Sequence, residues 1–125
     1  DQRQLAIIDM RGRVAVHNPV NPAPDGEWWG SLSGRFYSCQ GNTLVGARVV
    51  MAMADAYERT AGLMSDRLIA ALVAGDQAGG DHRGRLAAGL RVADPGDGGG
   101  LELDVDHHPD AVTELAKLHA TARVG

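Results

Sequence analysis

The segment Ser38-Cys39-Gln40-Gly41-Asn42 sets a side-chain amide where an extended run gives way to a turn. A strand end with a helix amino terminus just beyond is a place where backbone N–H groups and a carboxamide converge on developing negative charge, as acyl transfer requires. Asn42 is therefore the candidate oxyanion stabiliser, with Gly41 beside it as a candidate binding position. The same two letters also make an ordinary turn, because Gly and Asn both tolerate positive φ, and spacing alone leaves both readings open. Cys39 is no nucleophile candidate. It shares a strand face with Tyr37, where a lone Cys usually serves as a small buried hydrophobe.

A second constellation is the glycine-rich stretch from Gly75 to Gly84, which carries Asp76, Asp81, His82 and Arg83, with Arg85 just after it. Glycines let the backbone approach a ligand closely, and an Arg can hold a carboxylate bidentately. The stretch is not a phosphate-binding loop of the Gly-Lys-Ser/Thr type. A solvated connection laced with ion pairs explains the letters equally well. A third group, Asp104-Val105-Asp106-His107-His108, puts two carboxylates on one strand face next to an imidazole, which could hold a divalent ion. A lead into the last helix, with Asp110 complementing its dipole, accounts for the same residues, and no metal or cofactor is expected.

These groups need elements to hold them. Leu5 to Ile8 and Val14 to Val16 read as strands of a β-hairpin, with Gly12 in the connection supplying positive φ. The first run is apolar on both faces, which predicts a strand covered on both sides. From Asn18 to Gly34 prolines, Asn, Asp and Gly abolish periodicity, which predicts a long loop containing Trp28 and Trp29. Indoles in such a loop either anchor it to the core or line a cleft. Arg35 to Gln40 alternates as a strand closed by Gly41-Asn42, and Thr43 offers a helix N-cap.

Val49, Met53, Ala56 and Tyr57 form a helix stripe ended by Gly62. A second helix runs from about Ser65, with Asp66 near its positive end and Gly75 after its last turn. Leu86 to Val92 and Leu101 to Val105 read as strands, and Pro109 opens a last helix in which Val112, Leu115 and Leu118 share a side. The order β-β-loop-β-α-α-β-β-α predicts an α+β fold, with helices packed on a mostly antiparallel sheet rather than a doubly wound parallel one.

The 125 residues fit one domain, and aromatics at only 4% leave the core to aliphatic side chains. A formal net charge of −4 with scattered basic residues argues against a nucleic-acid partner. One Cys precludes an intrachain disulfide, which suits a reducing compartment, and no apolar run is long enough to span a bilayer. A cytoplasmic protein without a membrane partner is the expectation. The chain opens Asp1-Gln2-Arg3-Gln4 without Met and enters an apolar strand at once, which suggests that further sequence precedes it.

Four groups of residues, in order, resemble a known family. They are Arg3-Gln4-Leu5 with Ile8-Asp9 and Gly12-Arg13-Val14-Ala15; Gln40-Gly41-Asn42-Thr43-Leu44; Gly79-Gly80-Asp81-His82-Arg83-Gly84; and Val105-Asp106-His107-His108-Pro109-Asp110. The family is DUF1028, a domain of unknown function assigned to the N-terminal-nucleophile (Ntn) hydrolase-like fold, and the resemblance runs over essentially all 125 residues. It implies that residues 1–125 are the carboxyl-terminal portion of one αββα sandwich. Roughly a hundred preceding residues would begin with the nucleophile, a small hydroxyl or thiol residue. In such enzymes one residue supplies both nucleophile and base, because its α-amine titrates near neutrality, at about 7.7–8.0. Asp1 has no adequate nucleophile, so this portion alone is expected to be inactive.

By the same resemblance Asn42 would stabilise the oxyanion, while Asp81 and Arg83 would order the binding site. The implied activity is an amidohydrolase cleaving an amide or related C–N bond of a small-molecule substrate. The implied partners are an upstream fragment or chain with a terminal Thr, Ser or Cys, and further copies in a homo-oligomer. The alternative is a non-catalytic small-molecule-binding or assembly module that keeps the Ntn fold, its cleft lined by Trp28, Trp29 and Tyr37. After His17 the chain departs from the family pattern, with Asn18-Pro19 where a Thr-Gly pair and a Cys are common.

Overall fold

The computed structural model describes residues 3–20, 28–93 and 100–124. Its elements are strands β1 (Leu5–Ile8), β2 (Val14–His17), β3 (Trp28–Gly34) and β4 (Tyr37–Leu44), then helices α1 (Arg48–Arg59) and α2 (Met64–Gln77). Strands β5 (Ala88–Val92) and β6 (Leu101–Val105) and helix α3 (Ala111–Val124) follow. The strands form three antiparallel hairpins, each its own two-stranded sheet, in a mixed α+β arrangement. No helix among the described residues is long and apolar enough to cross a membrane.

The β1–β2 hairpin closes as its letters suggest. Asp9 Oδ1 accepts the backbone N–H groups of Arg11 and Arg13 at 2.9 Å, and Gly12 turns the chain with φ +81°. Any Cβ at Gly12 would lie 2.5 Å from the Phe36 ring, so glycine is required on two counts. Phe36 N–H in turn donates to Gly12 O at 3.0 Å, which ties the first hairpin to the turn of the second. The expected cover on both faces of β1 is not found: Leu5 and Ile7 are 60% and 72% exposed, because no described element lies over them.

The expected loop from Asn18 to Gly34 also needs correction. Residues 21–27 lie outside the described part, but Trp28 to Gly34 is strand β3. Gly and Ser in Trp-Trp-Gly-Ser-Leu-Ser-Gly mimic a loop. Pairing with β4 supplies the ladder that local propensity does not, and Trp28 packs against the core of Cys39, Val50 and Ala54. Trp28 is thus an anchor.

Helix α1 buries Val49, Val50, Ala54 and Tyr57 along one stripe. It ends at Thr60, whose N–H donates to Ala56 O, so Gly62 comes after the stop. Asp66 Oδ2 accepts the Leu63 N–H at 3.0 Å at the start of α2, where a carboxylate also suits the dipole. Gly75 does not end α2. It is buried inside the helix, with Met53 Cγ 2.8 Å from where a Cβ would stand, so it sets the close approach of α1 and α2. The helix closes instead at Gly79 and Gly80, both at positive φ, with Gly80 N–H reaching back to Gly75 O at 3.0 Å.

A second core joins α2, α3, β5 and β6 around Ile69, Leu90 and Leu115, and Leu115 is fully enclosed. Leu115→Ala is expected to remove about 2–5 kcal/mol of unfolding free energy in urea titrations. A loss below about 1 kcal/mol would mean that this cluster does not centre the core.

Candidate functional site

The register of β3 on β4 breaks at one point. Trp28 pairs with Leu44 and Gly30 with Gly41, so Trp29 faces both Asn42 and Thr43. This is a β-bulge, a device that bends a strand and re-aims the side chains at the extra residue. Thr43 takes up the distortion at φ 55°, a conformation that a β-branched residue adopts only under constraint, at a cost of about 1–3 kcal/mol. Thr43 therefore belongs to the strand, and the expected N-cap role is not its role. The N-cap position of α1 is Ala47, without a side-chain bond.

The constraint comes from the glycine-rich loop. Thr43 Oγ1 donates to Asp81 Oδ2 at 2.7 Å, His82 N–H donates to Thr43 O at 2.9 Å, and Val45 N–H donates to Gly80 O at 3.1 Å. Leu44 and Asp81 form a single antiparallel bridge. Gly79 and Gly80 permit this docking, since both hold positive φ and a Cβ on Gly79 would lie 2.5 Å from Val45. The structure thereby places two of the sequence-predicted groups, Asn42 and Asp81, on either side of one residue.

Asn42 is exposed, and its carboxamide is braced by Gln4. Asn42 Nδ2 donates to Gln4 Oε1 at 3.2 Å, while Gln4 Nε2 reaches Asn18 Oδ1 at 2.9 Å and Gly41 O at 3.0 Å. Asn18 Nδ2 donates onward to Ser31 Oγ at 2.9 Å. A carboxamide nitrogen carries two N–H groups, and Gln4 engages one of those on Asn42. The other has no acceptor among the described residues. Gly41 contributes its carbonyl to this network and packs under Leu44.

Arg83 grips the Asp81 carboxylate through its side chain, with Nη2 at 2.7 Å from Oδ2, and through its backbone N–H at 2.8 Å from Oδ1. The Arg83 guanidinium first, and then its backbone N–H and the Thr43 hydroxyl, hold the Asp81 carboxyl well below the usual carboxylate range. Asp81 is thus an anion fixed by its neighbours and unsuited to proton transfer near neutrality.

Tyr37 lies at the other end of β4, away from Asn42. Its hydroxyl donates to Glu58 at 2.9 Å, its ring meets that of Tyr57 at 4.8 Å, and burial together with Glu58 pushes the phenol up to about 12. Trp28 belongs to the α1 side of the sheet. Neither is brought to Asn42. Cys39 is buried, and burial raises its thiol, as suits a core residue.

The stretch before α3 is a structural lead-in. His108 Nδ1 accepts the Asp110 N–H at 2.9 Å, and His108 N–H donates to Leu86 O at 3.1 Å. Among the described residues no three His, Cys, Asp or Glu side chains are grouped to hold a metal ion.

Sequence reasoning missed two clusters. Gln4 and Asn18 were given no part in the site, although a Gln just before an apolar strand and an Asn just after one were the visible signals. The second is Ser65, Asp66 and His119: His119 Nε2 lies 3.1 Å from Ser65 Oγ and 3.5 Å from Asp66 Oδ1. Both contacts fall on one ring nitrogen, whereas a nucleophile–base–carboxylate chain uses both. With Ser65 and His119 buried, the cluster pins the start of α2 to α3.

The model of the "Family of unknown function (DUF1028)" matches residues 1–115. The chain belongs to the DUF1028 family. No curated protein matches it. Among solved structures it is similar to a DUF1028 member, protein SPO2555 from Silicibacter pomeroyi, at 30% identity and a TM-score of 0.80. The match covers 98% of this chain and 52% of that one, so these 125 residues span about half the length of the solved DUF1028 relative.

The lowered pKa of Asp81 fixes a pH dependence. A carboxyl whose folded value lies below its unfolded value of about 3.9 adds stability above that pH, and the increment is lost as pH falls toward the folded value. Asp81→Asn is therefore expected to be less stable than the natural protein at neutral pH, with the gap narrowing below about pH 4. Thermal melts across that range check it, and a gap that stays constant into strong acid would contradict the ion-paired role.

Proposed function

We propose that the DUF1028 chain to which these residues belong is an N-terminal-nucleophile-type hydrolase of an amide or related C–N bond, with residues 1–125 as the carboxyl-terminal portion of an αββα sandwich. The observation that carries this reading is Asn42: a bulge aims it, Gln4 braces it, and one N–H remains for an oxygen ligand.

In this reading the nucleophile is a Thr, Ser or Cys on a segment outside residues 1–125. Its side-chain oxygen or sulfur attacks the carbonyl carbon of a small-molecule substrate, and its own α-amine takes the proton. Charge develops on the carbonyl oxygen, where the spare N–H of Asn42 Nδ2 stabilises it. Collapse breaks the C–N bond, the amine leaves with the proton, and water then hydrolyses the acyl-enzyme. Asp81 and Arg83 act through Thr43 as positioning residues. The fixed Asp81 anion keeps the bulge in place without competing for the proton.

A second reading, a non-catalytic binding or assembly module, is favoured by a different observation. Leu5 and Ile7 present an open apolar face on β1, as a docking partner or a further copy of the chain would need.

Assay of the full-length protein on a panel of small amides separates the two. The hydrolase reading expects turnover that Asn42→Ala lowers on the order of 10²–10³-fold in kcat with the fold intact. Equal turnover by the variant removes Asn42 from the chemistry, and no turnover on any amide favours the binding module.

A further inference from the structure

A cavity of about 280 Å³ separates β4 from β5. Its walls are Tyr37, Ser38 and Cys39 on one strand and Gly89, Leu90 and Arg91 on the other. Its floor is apolar, with Met53 and Tyr57 from α1 and Leu68 and Leu72 from α2. The two hairpins that flank it do not pair with each other. Among the described residues, no backbone group of Tyr37–Gly41 outside the β3 ladder bonds another backbone group, and none of Ala88–Val92 does so outside the β6 ladder.

Two strand edges that face one cleft over an apolar floor lack a ladder partner on that side among the described residues; Cys39 and Leu90 along them are buried, while Gly89 and Arg91 are exposed. Free edges are normally blunted with Lys, Pro or a covering loop. Here the facing segments Tyr-Ser-Cys-Gln-Gly and Ala-Gly-Leu-Arg-Val carry a single charge, Arg91, and no Pro. A small apolar ligand would fill the floor but leave both backbone edges to solvent. A strand satisfies both edges and lays alternate side chains on the floor.

We infer that the cleft between β4 and β5 takes one extended strand, supplied by the rest of the longer DUF1028 chain, which joins the β3–β4 and β5–β6 hairpins into one continuous sheet. The matched relative is about twice as long as the part aligned here, so the family has chain to provide it. This inference shares with the proposed function only the need for a further segment, and it makes no use of a nucleophile.

Residue-resolved amide hydrogen exchange on the full-length protein tests it. An inserted strand protects every consecutive amide of Tyr37–Gly41 and Ala88–Val92, on the order of 10³-fold or more over an unstructured chain. Protection at alternate residues only, with cleft-facing amides exchanging freely, overturns the inference, whether or not native mass spectrometry finds a small ligand in the cleft. Protection that rises with protein concentration also overturns it, since the strand would then come from a second copy. The exchange pattern is read without substrate, so loss of the hydrolase reading would leave it unchanged.

Discussion

The hydrogen bond from Thr43 Oγ1 to Asp81 Oδ2 carries more of this structure than its 2.7 Å length suggests. A threonine at positive φ is unfavourable, and here its hydroxyl has a charged acceptor that Arg83 holds in place. Remove the acceptor and the bulge loses its reason to persist, because Asn42 and Thr43 could then compete to relax into a regular ladder opposite Trp29. Bond, ion pair and bulge form one unit, and the direction of the Asn42 carboxamide follows from it. The same unit fixes where α2 ends, since Gly79 and Gly80 must turn sharply to bring Asp81 to the strand.

Much of the scaffold was legible because local chemistry and tertiary structure agree. Gly12, the stripe of α1, the alternation of Leu101–Val105, and Val112 with Leu115 in α3 each follow from a period or a turn requirement that the packing then uses, whereas Leu118 is exposed and His119 is buried on that helix. Misreadings arose where one letter serves two purposes. Gly75 reads as a helix stop but is small because Met53 packs on it, and Thr43 reads as a cap but is held in a bulge by a residue far along the chain. The Gly and Ser of β3 hid a strand whose stability comes from its partner. A sequence period cannot report such pairings.

The candidate site was legible in part. Asn42, Gly41, Asp81 and Arg83 stand in adjacent positions, linked through Thr43, while Trp28 and Tyr37 serve the core and the α1 side of the sheet. Gln4 was hidden because its role appears only when the first hairpin is laid beside β4, joining positions 38 residues apart. The open faces of β1, the unpaired edges at the β4–β5 cleft and a solved DUF1028 relative of about twice the aligned length are three separate observations on these residues.

The reliance of the bulge on the loop is best measured by a double-mutant cycle between Thr43→Val and Asp81→Asn in the full-length protein, followed by chemical denaturation. If the hydroxyl–carboxylate bond holds the strained turn, the two losses overlap and the coupling is about 1–3 kcal/mol. Losses that add to within about 0.5 kcal/mol would show that the two residues act independently, and the bulge would then owe its geometry to something other than Asp81.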